Sequence, residues 1–289
     1  MLGWWQIHLY PRKIWLILPG QSENDANGIR GGDTTLSEEG GRYSQALCEL
    51  ARVHASKTLR AGHRPHVLTG TLRRYEQVAD MLCGRKRSGG GGGSGGGDSG
   101  GGIGGGDSGD SGSGGGVGGG DNGSGDGALV SAGGSHATGV DGAGPGTETD
   151  SWAAATRLRL KALNELCFGA LEGLPGGKLR HSFPQEFHAR AFDPLNYRYP
   201  GVGGESYMDL VTNCRDVVLT LERLQTDVAV VCDVAVARVL LGYFEGTAID
   251  QIPNIPVDPG LIELERSHSG FSRSHLRVDV GKPSLLVAS

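Results

Sequence analysis

Cys232, Asp233 and Arg238 are the residues of this chain whose types and spacing could carry out phosphate chemistry. Five residues separate Cys232 from Arg238, the spacing at which a thiolate nucleophile and an anion-binding guanidinium cooperate in one group of phosphate-ester hydrolases. The intervening residues include no glycine, so they are poorly suited to a loop whose backbone N–H groups surround an anion. The pattern therefore disfavours Cys232 as a nucleophile. It leaves Asp233, which follows the apolar run that ends at Cys232, as a residue that could lie at a binding site.

The position of Asp233 depends on the strand before it. Residues 228–232 form an apolar run that is typical of a buried strand, and a second apolar run over 13–18 stops abruptly at Pro19-Gly20. In open α/β sheets, ligands bind beyond the carboxyl ends of parallel strands. We therefore expect these two strand ends to face one crevice.

Strand and helix signals alternate along the chain. Apolar runs predict strands near residues 13–18, 66–70, 160–166, 228–232, 261–265 and 276–280. Capping residues and helical periodicity predict four helices. One begins at Ser37, one covers residues 73–83, one runs from Ser206 to about Leu224 with a capping box between Ser206 and Asp209, and one covers residues 234–244. This alternation predicts an α/β fold with a mostly parallel sheet and helices on both faces.

A block rich in glycine interrupts the pattern. Residues 88–147 are mainly Gly, Ser and Asp, and such a segment cannot offset its ordering entropy, so we predict a disordered insert. On either side, residues 13–87 and 148–280 are expected to form one discontinuous domain. Residues 1–12 are interpreted as a lead-in like an inter-domain linker, and residues 281–289 as a tail.

Composition excludes several classes of function. The net charge of −5 and the absence of a long basic run argue against nucleic acid as a partner. Five scattered cysteines without a C-x-x-C pair argue against a zinc site or a disulfide framework, and they favour a reducing compartment. The apolar run near the N-terminus is too short to span a membrane. We expect a cytoplasmic protein with no metal, no cofactor and no membrane association.

Several segments, in order and at matching spacing, resemble one known family: residues 11–16, 31–33, 162–165, 197–200 and 204–207. They are similar to the phosphatase half of the 6-phosphofructo-2-kinase/fructose-2,6-bisphosphatase family. The resemblance covers nearly all of the chain outside the insert and the tail. It implies the histidine phosphatase (phosphoglycerate mutase-like) fold. A G-x-x-x-x-G-K-[ST] loop does not occur, so the kinase half is expected to be absent.

The resemblance also places three departures at the chemical centre. In that family the first strand leads into Arg-His, and a second His follows the later strand. Here Leu18 and Pro19 stand at the first pair of positions and Asp233 at the last. Pro19 has no side-chain lone pair to accept a phosphoryl group, and Asp233 adds negative charge where a phosphate is expected.

Other matching positions keep the residue types of the family. The resemblance implies that Arg74 is a phosphate-binding cation and that Glu165 is the general acid. It also implies substrate contacts at Gly20, Arg190, Tyr207 and Arg238. Four expected side chains are replaced, at Asp25, Gly176, Pro194 and Val234.

The expected function is that of a degenerate, catalytically inactive fructose-2,6-bisphosphatase-like protein. It would bind fructose 6-phosphate or fructose 2,6-bisphosphate weakly. Two alternatives stay open: a weak sugar-phosphate phosphatase that uses Asp233, and an interaction protein that associates with itself or with kinase-bearing relatives.

Overall fold

Strand β1 (Lys13–Ile17) lies inside a six-stranded sheet. The computed structural model describes residues 12–57, 59, 64–85, 151–267 and 270–278. The predicted insert and tail fall outside these residues, as does the predicted lead-in apart from Arg12. Their assignments stay predictions, and so does the division into domains.

The remaining strands are β2 (His66–Thr69), β3 (Thr156–Arg159), β4 (Val228–Val231), β5 (Leu261–Ser267) and β6 (Gly270–Leu276). The helices are α1 (Glu23–Ala26), α2 (Glu38–Ser56), α3 (Arg73–Leu82), α4 (Gly176–Ser182), α5 (Pro184–Phe192), α6 (Tyr207–Asn213), α7 (Arg215–Arg223) and α8 (Val234–Glu245). Short 3₁₀ helices occupy Lys161–Leu163, Gly169–Leu171 and Ile249–Asn254. None of the helices in the described ranges is long and apolar enough to cross a membrane.

The sheet has the strand order β3-β2-β4-β1-β5-β6. The first four strands run parallel, whereas β5 pairs antiparallel with both β1 and β6. Ile17 pairs with Val231, so β1 and β4 end side by side. The predicted α/β fold with a mostly parallel sheet is therefore confirmed, and two predicted strand ends meet at one edge.

Alternate residues of β1 enter two separate cores, as the period of two in a strand requires. Ile14 and Leu16 pack in the core beneath helices α6–α8, and Trp15 and Ile17 pack in the core beneath α2 and α3. The sheet is thus covered by helices on both faces. Both faces of β1 are therefore buried, which explains why its sequence is a continuous apolar run and does not alternate with polar residues.

The strand predicted over 160–166 was wrong. Strand β3 lies earlier, at Thr156–Arg159, and a 3₁₀ turn over Lys161–Leu163 follows it. Leu160, Leu163 and Leu166 recur every three residues, which suits a 3₁₀ turn better than a strand. The sequence of β3 alternates with charged residues because β3 is the edge strand of the sheet.

Two other boundaries differ from prediction. The helix expected from Ser206 to about Leu224 is divided at Cys214 into α6 and α7, although the predicted capping box between Ser206 and Asp209 is present. The last strand lies at Gly270–Leu276 instead of near 276–280. Its polar residues face solvent in a hairpin with β5, so it carried no apolar run to reveal it.

Candidate functional site

A pocket of about 110 Å³ opens where β1 and β4 end. All nine residues predicted for the site line it: Leu18, Pro19, Gly20, Arg74, Glu165, Arg190, Tyr207, Asp233 and Arg238. They come from six separate stretches of the chain, which the fold brings together. Their position is therefore as expected, while the role of each residue stays a prediction.

The end of β1 is held by close backbone packing. Leu18, Pro19 and Gly20 are buried, and the Gly20 N–H donates to Ser44 Oγ at 2.9 Å. A Cβ atom at Gly20 would lie 2.4 Å from the carbonyl oxygen of Gly40 in α2. Glycine is thus required here by the packing of the strand end against α2, whatever contact it makes with a ligand.

Asp233 lines the pocket and also caps helix α8. Its Oδ1 accepts a hydrogen bond from the Val236 N–H at 2.9 Å. Burial raises the pKa of Asp233, and the capping N–H groups together with Arg74 and Arg238 oppose this rise only in part. The carboxyl group therefore has a structural function, and its ionised form is disfavoured in the folded chain.

Asp233→Asn is expected to stabilise the chain at neutral pH, because burial raises the pKa of Asp233 and so disfavours its charged form in the folded chain. Asparagine keeps an oxygen that can cap α8 but removes the disfavoured charge. A carboxyl group whose pKa is raised on folding costs stability above that pKa, so the gain should shrink as the pH falls. Urea unfolding at two pH values measures it. Equal destabilisation by Asp233→Asn and Asp233→Ala would contradict the argument.

Arg74 lies in the first turn of α3 and is almost fully enclosed, with 5% of its surface exposed. Its guanidinium forms an ion pair with Glu165 and donates to the Gly32 carbonyl at 3.1 Å and the Tyr75 hydroxyl at 3.2 Å. Burial acts to lower the pKa of Arg74, but Tyr75 and Glu165 outweigh it and raise the pKa. Arg74 therefore stays charged, with its charge already balanced by a carboxylate.

Burial raises the pKa of Glu165 to about 7. Arg74 counteracts this rise, and the nearby carboxylates of Asp233 and Asp25 add to it. A carboxyl group with a pKa near 7 can hold a proton at neutral pH, which a general acid requires. The chemistry predicted for Glu165 is thus possible at this position, although a partner that accepts the phosphoryl group is still needed.

The loop that carries Glu165 is fixed by its neighbour Asn164. The Asn164 side chain accepts from the Thr71 N–H at 2.7 Å and donates to the Thr71 hydroxyl at 2.9 Å. A Cβ atom at Gly70 would lie 2.7 Å from Asn164 Oδ1, so a side chain there would displace the loop. These contacts hold Glu165 beyond the end of β2, beside Arg74.

Arg238 and Arg190 lie among tyrosines in another part of the pocket. Arg238 donates to the Tyr207 hydroxyl at 3.0 Å and to the Ile255 carbonyl at 2.9 Å. Arg190, in the last turn of α5, interacts electrostatically with Tyr199 and Tyr207. Two guanidinium groups and two phenol hydroxyls therefore surround this part of the pocket.

Several aromatic side chains line the pocket, and the sequence analysis identified only part of them. Phe168 packs edge-on against Tyr199 with ring centroids 5.0 Å apart, and Tyr199 packs against Tyr197 at 5.1 Å. Phe168 and Tyr75 line the pocket but were not singled out. Phe168 belongs to a loop whose geometry the sequence did not reveal, so only its proximity along the chain to Glu165 could have indicated it.

Cys232 does not line the pocket and has no exposed surface. Burial raises the pKa of its thiol well above the usual value. A reactive cysteine needs a lowered pKa and access to its substrate, and Cys232 has neither. The geometry therefore agrees with the sequence in disfavouring a cysteine nucleophile.

Comparison with known proteins identifies the fold and its relatives. Residues 154–278 match the family model of the histidine phosphatase superfamily (branch 1). A putative alpha-ribazole-5'-P phosphatase from Escherichia coli superimposes with a TM-score of 0.57 at 15% identity, over 92% of this chain and 95% of that one. Mycobacterial glucosyl-3-phosphoglycerate phosphatase gives 0.56 at 15% identity, over 91% and 98%. The chain therefore has the histidine phosphatase fold. Strands β1 and β2 precede the matched range, but they belong to the same sheet as the four strands within it.

Sequence comparison with curated proteins identifies the relatives of the chain more narrowly than the fold does. The chain is 42% identical over 99 residues to Saccharomyces cerevisiae 6-phosphofructo-2-kinase 1, covering 34% of this chain and 12% of that protein. It is 28% identical over 247 residues to mouse 6-phosphofructo-2-kinase/fructose-2,6-bisphosphatase 1, covering 86% of this chain and 36% of that protein. The chain is homologous to the fructose-2,6-bisphosphatase domain of these proteins, and it spans about an eighth to a third of their length.

Proposed function

We propose that this chain is a fructose-2,6-bisphosphatase-like protein of fructose 2,6-bisphosphate metabolism that has lost catalysis and retains weak binding of a phosphosugar. The observation that carries the proposal is the composition of the two strand ends. Leu18-Pro19 follows β1 and Asp233 follows β4, at the positions where the resemblance implies Arg-His and His. None of the residues that line the described pocket is a histidine.

The chemistry supports loss of activity. Phosphoryl transfer to the protein requires a side-chain nucleophile, and Pro19 offers neither a donor nor an acceptor. Removal of a nucleophile alone typically lowers the rate by orders of magnitude. Here the cation expected at Leu18 is missing as well, and Arg74 is already paired with Glu165. Glu165 alone could supply a proton but not the acceptor for the phosphoryl group.

The charges of the pocket support weak binding. Three arginines line it, and they are matched by three carboxyl groups from Asp25, Glu165 and Asp233. A phosphate ester that enters must compete with these carboxylates for the guanidinium groups. A charge-assisted hydrogen bond contributes about 1.5–3 kcal/mol, so each contact that is lost weakens binding measurably.

A phosphoenzyme-trapping experiment tests the loss of activity. The full chain is incubated with fructose 2,6-bisphosphate labelled at the 2-phosphate, quenched and assayed for protein-bound label and for released phosphate. We expect both to stay at the level of a heat-denatured sample, while an active fructose-2,6-bisphosphatase measured in parallel is labelled. Stable labelling, or turnover well above that background, would overturn the proposal.

A second candidate function is a weak phosphatase that uses Asp233, because its carboxyl group lines the pocket. The raised pKa of Asp233 and its capping bond to Val236 oppose this function. If turnover is found, Asp233→Ala should abolish it, while Asp25→Asn, which removes a charge from the same pocket, should not. Unchanged turnover in Asp233→Ala would exclude this candidate.

Association with kinase-bearing relatives is the remaining candidate. It rests on homology to proteins that join both activities in one chain. Co-expression of tagged chain with such a relative, followed by affinity purification and size-exclusion chromatography, tests it. A chain that elutes alone as a monomer contradicts it.

A further inference from the structure

A second cavity, a groove of about 480 Å³, lies between α7 and α8. It shares no lining residue with the pocket beyond β1 and β4. Its walls include Val218 and Leu219 of α7, Tyr243 of α8 and Ile249 of the 3₁₀ helix that follows. Among the described residues that line the groove, only Arg215 is charged, so the groove suits an apolar occupant.

Apolar side chains of this groove are exposed to solvent. Leu219 and Tyr243 each keep 52% of their surface exposed, and Ile249 keeps 46%. Single exposed apolar residues are common on protein surfaces, whereas several that line one groove are typical of a surface that another segment covers. The question is which segment of chain reaches it.

Arg12, where the described structure begins, is fixed to the end of α7. Its guanidinium donates to two backbone carbonyls there, and its Nη2 lies 3.5 Å from Oε2 of Glu222. Glu222 follows Val218 by four residues and Leu219 by three, so the three side chains lie along one face of α7. The described chain therefore begins beside the end of the groove.

The eleven residues that precede Arg12 have a composition that suits this groove. Seven of them are large and apolar or aromatic, and none is Asp, Glu, Lys or Arg. These seven are Met1, Leu2, Trp4, Trp5, Ile7, Leu9 and Tyr10. Burial of such a segment removes apolar surface from water without the cost of burying a charged side chain.

The segment is also long enough. Eleven extended residues reach up to about 36 Å, whereas the α7 residues from Arg215 to Glu222 span about 10 Å. Residues 1–11 can therefore follow the whole groove from the fixed position of Arg12.

We propose that residues 1–11 turn back at Arg12 and cover the groove between α7 and α8 of their own chain, with Trp4 and Trp5 against the exposed surface of Leu219 and Tyr243. Tryptophan supplies a large apolar area, which makes it an effective anchor in such a groove. The covalent link through Arg12 gives the segment a high effective concentration at the groove. The interaction is independent of the phosphosugar pocket and does not rest on the proposed function.

Tryptophan fluorescence of the full chain tests the proposal, because the other two tryptophans lie elsewhere. Trp15 and Trp152 contact each other in the core beneath α2 and α3, on the opposite face of the sheet from the groove. We expect Leu219→Asp to shift the emission to longer wavelength, because a charge in the groove expels Trp4 and Trp5 into water.

Two controls assign this shift. Val53 of α2 is exposed to a similar extent, 56%, and Val53→Asp should not shift the emission. In a chain that also carries Trp4→Phe and Trp5→Phe, Leu219→Asp should cause no shift either. An unshifted emission in Leu219→Asp, an equal shift in Val53→Asp, or a shift that persists without Trp4 and Trp5 would overturn the proposal.

Photo-crosslinking of the full chain identifies the occupant of the groove. p-Benzoylphenylalanine replaces Trp4, Trp5 or Leu9 in turn, and mass spectrometry maps the crosslinked peptides. We expect crosslinks within one chain to residues 215–219 and 239–249. Their yield should fall about tenfold or more in Leu219→Asp and stay unchanged in Val53→Asp, since a tenfold change corresponds to only about 1.4 kcal/mol.

The other outcomes of the crosslinking contradict the proposal. Crosslinks to the same residues between two chains would assign the groove to a second copy and overturn docking within one chain. Crosslinks elsewhere, or none from any of the three positions, would show that residues 1–11 do not cover the groove.

Discussion

Gly40→Ala is expected to destabilise the chain by about 3 kcal/mol, at the upper end of the usual cost of overpacking. A Cβ atom at this position would lie 2.0 Å from the carbonyl oxygen of Gln21 and 2.9 Å from its nitrogen. Both atoms belong to backbone, so no rotation of a side chain can relieve the clash. Either α2 or the loop after β1 must move, and urea unfolding of the full chain measures the cost.

The neighbouring residue provides a matched control. Gly41 lies in the same helix, and a Cβ atom there would meet nothing within 4 Å. Gly41→Ala should therefore stabilise the chain by up to about 1 kcal/mol through helix propensity alone. If both substitutions have the same effect, the close approach of α2 to the loop does not limit stability.

The same substitution should affect the pocket. Gln21 and Gly20 line it, and α2 holds this loop through the bond between Gly20 and Ser44. Gly40→Ala should therefore weaken phosphosugar binding in whatever fraction of the chain stays folded, whereas Gly41→Ala should not. This second readout separates a displaced strand end from a general loss of stability.

Local patterns predicted the framework of the site. The apolar runs that end at Leu18 and Cys232 identified the two central strands, and Ser37 identified the start of α2 because its side chain caps the helix at Gly40 N. Such signals depend on residues close together in the chain. They were sufficient to predict that the strand ends meet, which the pairing of Ile17 with Val231 confirms.

Features that depend on distant contacts were beyond prediction. Arg74 and Glu165 are 91 positions apart, and no spacing rule indicates that they form an ion pair. The edge strand β3 carries few apolar residues, so the leucines after it gave a misleading strand signal. The family resemblance predicted which residues gather at the pocket but not that Arg74 is already neutralised by Glu165 or that Asp233 caps α8.

Glu263→Leu is expected to destabilise the chain by about 3–5 kcal/mol, the cost of breaking a buried charged network. Glu263 lies on β5 with 6% of its surface exposed. Its carboxylate accepts from Trp15 Nε1 at 2.8 Å and from Lys13 Nζ at 3.0 Å, and lies 2.8 Å from His54 Nε2. Trp15 and Lys13 belong to β1, so this network holds the strand that leads to the pocket.

The next residue on the same face of β5 provides the control for charge. Glu265 is half exposed and lies 3.9 Å from Lys13 Nζ, so Glu265→Leu should change stability by no more than about 0.5 kcal/mol. Glu263→Gln should give an intermediate loss, since it keeps one acceptor oxygen but presents an NH₂ group to a donor. If Glu263→Leu and Glu265→Leu lower the free energy of unfolding equally, the buried network around Glu263 does not contribute to stability.

The pH dependence of the Glu263 effect follows from the direction of its pKa shift. Burial acts to raise the pKa of Glu263, but hydrogen bonds from Trp15, Lys13 and His54 outweigh it and lower the pKa below the usual value. A carboxyl group whose pKa is lowered on folding stabilises the fold above its unfolded pKa of about 4.3, and this contribution is lost as the pH falls through the folded pKa. The stability difference between the native chain and Glu263→Gln should therefore be present above about pH 4.3 and shrink as the pH falls below it. The urea unfolding midpoints of both chains across this pH range test this prediction. If the midpoints differ by the same amount at pH 3.5 and pH 7, the shape of the side chain, and not its charge, anchors β1 to β5.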